Sequence, residues 1–326
     1  MRKILLMVIL ALGGLALQAG EIDFSGISFL RYRNFIEGGS QDGIDAFDVN
    51  RVYFNVKSKI GDRSRFRFTT DINRVTGENR YLRTRVKYAW FGYKPIGSEG
   101  EFKFGLIPTP FIGMEDGNWK HRFAYQSVSD QEGWLDSADF GASWSGKGGN
   151  FSYTAFVANG EGYGGSPAGT GEVAGALLTY KSEGGLSLSL YGQDGRENSG
   201  GGDVQRGRLI GNLTYLGDNW MIAGSYGSGE GFGGVANTDI DGWWLYGSVD
   251  YATDWDLFWR VRQTSIDDPT AGTGEVEETA WILGVAHQMD RNLRLSLDLQ
   301  STSFDNAIGV DPADQVVLFA HVEVKF

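Results

Sequence analysis

The chain has 326 residues, a net charge of −12, 13% aromatic residues, 49 Gly, 6 Pro and no Cys. The lack of cysteine excludes a disulfide framework, a thiolate metal site and a cysteine nucleophile, and the acidic balance lacks the basic footprint of a nucleic-acid partner. Beyond the N-terminus there is no apolar run long enough for a membrane helix, whereas abundant Gly with scarce Pro suits many strands and tight turns.

The first segment is basic (Met1-Arg-Lys3), then apolar from Ile4 to Leu17, and it ends in Leu-Gln-Ala-Gly20. This order predicts a secretory signal peptide over residues 1–20, cut after Ala19 or Gly20, and one mature domain over residues 21–326.

Sixteen strand-like segments follow, at 22–36, 47–60, 64–73, 81–93, 101–107, 137–145, 150–158, 173–181, 185–193, 206–216, 219–228, 241–251, 255–266, 277–287, 292–304 and 315–326. Many alternate. Val52, Phe54 and Val56 interleave with Arg51, Tyr53, Asn55 and Lys57; Leu82, Val86, Tyr88 and Trp90 interleave with Arg83, Arg85 and Lys87. Leu293, Leu295, Leu297 and Leu299 interleave with Arg294, Ser296, Asp298 and Gln300. Side chains on a strand alternate faces, so one face is apolar and the other polar. The connections alternate too, seven short and eight long. That rhythm is required of a sixteen-stranded antiparallel sheet with both ends on one side, and it matches the short turns and longer outer loops of membrane barrels. The expected fold is therefore all-β: a transmembrane antiparallel β-barrel of sixteen strands. Its apolar face meets lipid and its charged face meets water. Trp90, Trp144, Trp220, Trp243 and Trp255, near strand ends, are expected in the outer aromatic girdles. Sixteen strands leave an aqueous lumen, so the barrel is read as a pore.

Charge is divided along the chain. Residues 31–122 carry 17 Lys and Arg against 11 Asp and Glu; residues 123–326 carry 10 against 28. The inward phase of the first five strands collects Arg31, Arg33, Arg51, Lys57, Lys59, Arg65, Arg67, Arg83, Arg85, Lys87 and Lys103 into one continuous patch. A basic track of many weak sites suits anion passage, because an ion must be able both to bind and to leave. Any single member also has nearby carboxylates to pair with, namely Asp48, Asp71 and Glu101.

The long connection at 108–136 is too aromatic for a disordered tail, with Phe111, Trp119, Phe123, Tyr125 and Trp134. It is expected inside the barrel as a constriction loop that brings Glu115, Asp116, Lys120 and Arg122 opposite the patch. The glycine-rich segments 160–165 and 227–234 open no helix after a buried strand and read as mobile outer loops. His121, His287 and His321 lack metal-ligand spacing. No metal, no cofactor and no catalytic residue is expected, and the chain is not read as an enzyme. Asn150 and Asn212 match glycosylation spacing by chance.

The last strand, Val316 to Phe326, alternates and closes on an aromatic residue. It resembles the C-terminal assembly signal of bacterial outer-membrane barrels, with Phe326 as the residue that the assembly machinery reads. Gly105-Leu-Ile-Pro-Thr-Pro-Phe111 with Trp119-Lys-His-Arg-Phe-Ala-Tyr-Gln-Ser127, preceded by Arg51-Val-Tyr-Phe-Asn-Val-Lys57 and Tyr88-Ala-Trp-Phe-Gly-Tyr-Lys-Pro95, resembles the phosphate-selective porin family. The resemblance is clearest over residues 46–135. It implies an outer-membrane location, a lumen narrowed by the third loop, an arginine-lined channel for small anions, and a homotrimer seated in lipid. The acidic second half and the lack of a dense lysine cluster in the loop depart from that pattern. They leave open a general or cation-preferring porin, and a barrel that sheathes or docks a partner protein.

Overall fold

The computed structural model describes residues 20–74, 81–165, 171–198, 203–268, 274–305 and 314–326. The expected signal peptide lies outside them apart from Gly20. Strands are β1 (Ile22–Glu37), β2 (Asp45–Ile60), β3 (Ser64–Arg74), β4 (Leu82–Tyr93), β5 (Glu101–Pro108), β6 (Ala138–Gly148), β7 (Phe151–Ala158), β8 (Val173–Lys181) and β9 (Leu186–Asn198). They continue with β10 (Asp203–Gln205), β11 (Arg208–Leu216), β12 (Trp220–Glu230), β13 (Asp239–Ala252), β14 (Trp255–Asp267), β15 (Glu275–Asp290), β16 (Leu293–Asp305) and β17 (Gln315–Lys325). β10 and β11 both pair with β9 and form one stave interrupted at Arg206-Gly207, so seventeen segments make sixteen staves.

The sheet closes. β1 pairs antiparallel with β17 from Ile27↔Lys325 to Phe35↔Val317, and every other stave pairs with its chain neighbour. At the seam Gly26 and Phe326 exchange backbone hydrogen bonds of 2.6 and 3.0 Å. Closure leaves no row of unpaired N–H and C=O groups, the condition for a sheet in hydrocarbon.

The polarity is inverted relative to a water-soluble β protein. Phe24, Phe47, Leu190, Leu209, Tyr226, Leu283 and Leu297 are each more than half exposed on the outside. Asp71, Lys87, Asp256, Arg260, Arg262 and Asp298 are buried inside. A continuous apolar exterior of this extent belongs against lipid. Trp220, Trp243 and Trp255 stand on it as expected, and Trp144 points outward from the same face as Phe102.

Trp90 does not. It is 6% exposed and lies inside, with Arg65 and Lys103 over its ring at 5.2 and 5.3 Å. The cause is a β-bulge. Along β3 the partners run Thr69↔Tyr88 then Thr70↔Val86, so Lys87 has no opposite residue. One extra residue flips the alternation after it. Arg83 and Arg85 face inward before the bulge, and Tyr88 and Trp90 face inward after it.

The closing residue has a seat of its own. The Phe326 ring sits 5.7 Å from Phe54 and over Gly26, where a Cβ would lie 2.3 Å from the ring. Gly26→Val must expel that ring. The expected cost is about 1–3 kcal/mol, as for other over-packed sites. It would be read as a lower temperature of conversion from the folded to the unfolded band on unboiled gels. An unchanged midpoint means that the seat contributes nothing.

Candidate pore and its constriction

The long connection between β5 and β6 is inside the barrel and partly helical. α1 (Pro110–Trp119) starts on a proline, whose fixed φ suits the first helical turn. It ends at Lys120, in the left-handed conformation (φ 49°) that stops helices. α2 (Val128–Gln131) is a single turn.

Aromatic residues bind this loop to the wall formed by the second half of the chain. Phe111 lies 5.6 Å from Tyr191, Trp119 meets Tyr246 and Phe258 edge-on at 5.7 and 6.0 Å, and Trp134 lies 5.5 Å from Trp244. Phe123 meets His321, which is buried against Asp298 at 3.1 Å. The wall is cut to receive the loop. A Cβ on Gly227 or Gly242 would come within 2.8 or 3.3 Å of the Trp134 ring.

The polar ties are equally directed. Arg208 Nε donates to the Trp134 carbonyl (3.0 Å), Arg260 to the Gln126 carbonyl (2.5 Å) and Arg294 to the Lys120 carbonyl (3.2 Å). Arg262 pairs with Glu132 at 3.1 Å and with Glu278. His121 Nε2 lies 2.5 Å from Asp256, which also holds Arg294 at 2.5 Å. Burial lowers the His121 pKa, against the opposing pull of Asp256. These arginines are absent from the sequence-based candidates. The signal that marks them is their inward phase on strands of the acidic half.

The expected constriction residues separate. Glu115 is buried and turned to the wall, not to the basic patch. It accepts from Trp244 Nε1 at 2.7 Å, from Ser129 N at 3.2 Å and from the Ser129 hydroxyl. Asp116 and Arg122 do come together, at 2.8 and 2.9 Å, and Arg122 also donates to Asp130 (2.7 Å) and to the Tyr53 hydroxyl on β2 (3.2 Å). Arg122 therefore reaches from the loop to the basic wall. Although half-buried, it is held well above the usual arginine value by Tyr53, Asp116 and Asp130. Asp130 is half-buried too, yet Arg122 and Lys87 bring it down to about 2. Lys120 is exposed at the helix end; its N–H donates to the Asp116 carbonyl at 3.3 Å and its carbonyl accepts from Arg294.

On the basic wall some cations are paired and others are not. Arg31 lies 3.5 Å from Asp48, Arg51 3.3 Å from Asp71, Arg65 2.5 Å from Glu101 and Lys103 3.5 Å from Glu101. These are the carboxylates that the sequence offered. Arg67 donates to Asn55 and Thr69 and stacks on Tyr88. Arg33 stacks on Phe35 (5.6 Å), Arg85 on Tyr163 (4.6 Å), and Lys87 lies among Tyr53, Tyr88 and Tyr163. Arg33, Arg67, Arg83, Arg85, Lys57 and Lys87 have no carboxylate partner among the described residues. Lys57 and Lys59, with Arg65 and Arg67, line a vestibule of about 560 Å³ at the end of the short turns. Tyrosines and Trp90 beside the cations escaped the sequence reading. The bulge at Lys87 brings Tyr88 and Trp90 there, whereas Tyr53 already shared the phase of Arg51. Among the described residues no cluster of three or more His, Asp or Glu is placed to hold a metal ion.

This architecture matches solved outer-membrane proteins along nearly its whole length. An anion-selective porin from Comamonas acidovorans superposes with a TM-score of 0.71, covering 94% of this chain and 99% of that one at 13% identity. The fold is the porin barrel. The outer membrane channel DcaP of Acinetobacter baumannii gives 0.70 over 94% and 97% of the chains at 11% identity. Outer-membrane expressed OmpT of Vibrio cholerae gives 0.65 over 96% and 99% at 16% identity. No family model and no curated protein matches the sequence.

Glu115 tests how the barrel holds its loop. Burial outweighs the Ser129 hydrogen bonds and pushes its carboxyl up to about 7. The docked loop then binds a proton more tightly than the released one. Docking is strongest below about pH 4.5 and weakens by at most ~1.4 kcal/mol per pH unit up to about 7. Amide exchange across α1 and α2, corrected for its intrinsic pH dependence, should be faster at pH 8 than at pH 5. Glu115→Gln should flatten that difference.

Proposed function

We propose that this barrel is a porin of the bacterial outer membrane, a passive channel for small hydrophilic solutes that favours anions. The observation that carries this reading is the imbalance of charge at the narrowing. On the wall, Arg33, Arg83, Arg85 and Lys87 lack carboxylate partners among the described residues. On the loop, Asp116 and Asp130 are already engaged by Arg122. The net field that a passing ion meets is positive, while aromatic faces beside Arg33, Arg85 and Lys87 partly offset the mutual repulsion of the cations. The remaining named cations, Arg31, Arg51, Lys57, Arg65, Arg67 and Lys103, extend the track toward both mouths.

Guanidinium groups grip carboxylate and phosphate through parallel hydrogen bonds, so phosphate is a candidate solute within this class. On the acidic half, Arg206, Arg262 and Arg294 offset Glu197, Glu278 and Asp256, and Lys325 offsets Glu323, which limits the pull of that half against the preference. The docked loop also argues against a protein threading the lumen. The family resemblance implies three copies per assembly, a number that crosslinking in mild detergent would count.

Planar-bilayer recording tests the proposal. Purified protein should give stepwise currents, with a reversal potential in a KCl gradient on the anion side. Arg83→Ala combined with Arg85→Ala should lower the anion-to-cation permeability ratio at least about twofold, a fraction of the ~1 kcal/mol a unit charge exerts at 4 Å in water. The same pair should weaken block of chloride current by phosphate. A cation-selective reversal potential would leave a general porin and remove the anion preference.

A further inference from the structure

The start of the connection after β7 does not behave as an outer loop. Residues 159–165 turn into the barrel. Its base is fixed: Gly160 N donates to Asp139 at 2.7 Å, and Arg206 donates to the Gly160 carbonyl at 2.6 Å. Tyr163 N donates to the Ala138 carbonyl at 2.9 Å. Its tip crosses to the basic wall. The Tyr163 hydroxyl donates to Asp71 on β3 at 2.9 Å, and its ring lies 4.6 Å from the Arg85 guanidinium on β4.

The glycines here serve close approach. A Cβ on Gly162 (φ 70°) would lie 2.4 Å from the Asp136 carboxyl of the long loop, and one on Gly164 would lie 3.0 Å from Arg85 Nη1. The segment is a strap wedged between the long loop and the wall. It closes one side of a space of about 430 Å³, bounded also by Gln126, Asp130, Asp136, Arg51 and Arg85.

Most charges at that space are spent; Glu161 of the strap and Arg85 are the two lining it without an ion pair among the described residues. Asp130 is held by Arg122 at 2.7 Å, Asp136 by Arg206 at 2.9 Å, and Asp71 by Arg51 at 3.3 Å. Arg85 has no carboxylate partner among the described residues, and its Nε is buried without a hydrogen-bond partner. One face of its guanidinium is covered by Tyr163, which leaves the edge toward the space. An arginine has several rotatable bonds, and a ring against its flat face restricts them.

We propose that the strap is a second constriction element and that Tyr163 is the positioning residue that fixes Arg85 as an anion-contacting group of the aperture. This rests on the channel reading. It adds that selectivity depends on a loop other than the long one.

The test is bilayer recording on the full-length protein, with single-channel conductance and KCl reversal potential as two readouts. Tyr163→Ala should raise conductance by roughly half, because the aperture widens. It should also lower the anion-to-cation permeability ratio to the value found for Arg85→Ala. The double variant should then match either single variant in selectivity, since both remove the same oriented charge. Tyr163→Phe keeps the ring on Arg85 and should retain wild-type selectivity. A strap that only fills space would change conductance and leave the reversal potential alone, which overturns the positioning role. Wild-type conductance and selectivity for Tyr163→Ala, in protein whose folded gel mobility is normal, overturns the whole inference. A wild-type protein that forms no channel removes the channel reading and this one with it.

Discussion

Everything in this molecule depends on the pairing of β1 with β17. Hydrocarbon offers no hydrogen-bond partners to a backbone, so a sheet can enter it only without edges. Once the seam from Ile27↔Lys325 to Phe35↔Val317 is made, the remaining arrangement is forced. One face of each strand must satisfy lipid and the other must satisfy water or packed protein. The closed cylinder thereby turns a simple alternation in sequence into an inside and an outside.

Inside, the arginines serve two purposes, and position decides which. On β11, β14 and β16 they end on carbonyls or carboxylates of the long loop or beside it. They are structural cations that spend their charge on holding a buried segment, and desolvation makes such ties costly to leave half-made. On β1 to β4 several cations stand beside aromatic rings with no carboxylate partner among the described residues. An arginine stacked on a ring keeps its edge donors available, whereas one locked in a fork with a carboxylate does not. The same residue type thus builds the constriction on one side and lines the open face on the other.

The staves were readable because alternation and loop rhythm are physical requirements of the barrel; the expected strand positions agree with the structure to within a few residues at most ends. The inward phase of Arg31, Arg51 and Arg65 was readable for the same reason, as were their carboxylate partners at Asp48, Asp71 and Glu101. What escaped depends on single residues that no periodicity encodes. The bulge at Lys87 carries no local sign in Tyr-Leu-Arg-Thr-Arg-Val-Lys-Tyr, yet it turned Trp90 from a girdle residue into a lumen residue. Glu115 and Asp116 are adjacent, and only the helix that holds them decides that the first faces the wall. Gly160 to Gly165 looked like slack because glycine is permissive; here it permits contact.

The glycine notches opposite the long loop have a consequence for engineering. Trp134 fits against Gly227 because that residue lacks a side chain, and Gly242 gives it further room. Loop and wall are therefore cut as a matched pair although Trp134 and Gly227 lie far apart in the chain. A graft of this loop into another cylinder would arrive with a key but no lock, so recombination between such channels should preserve function only where both halves travel together.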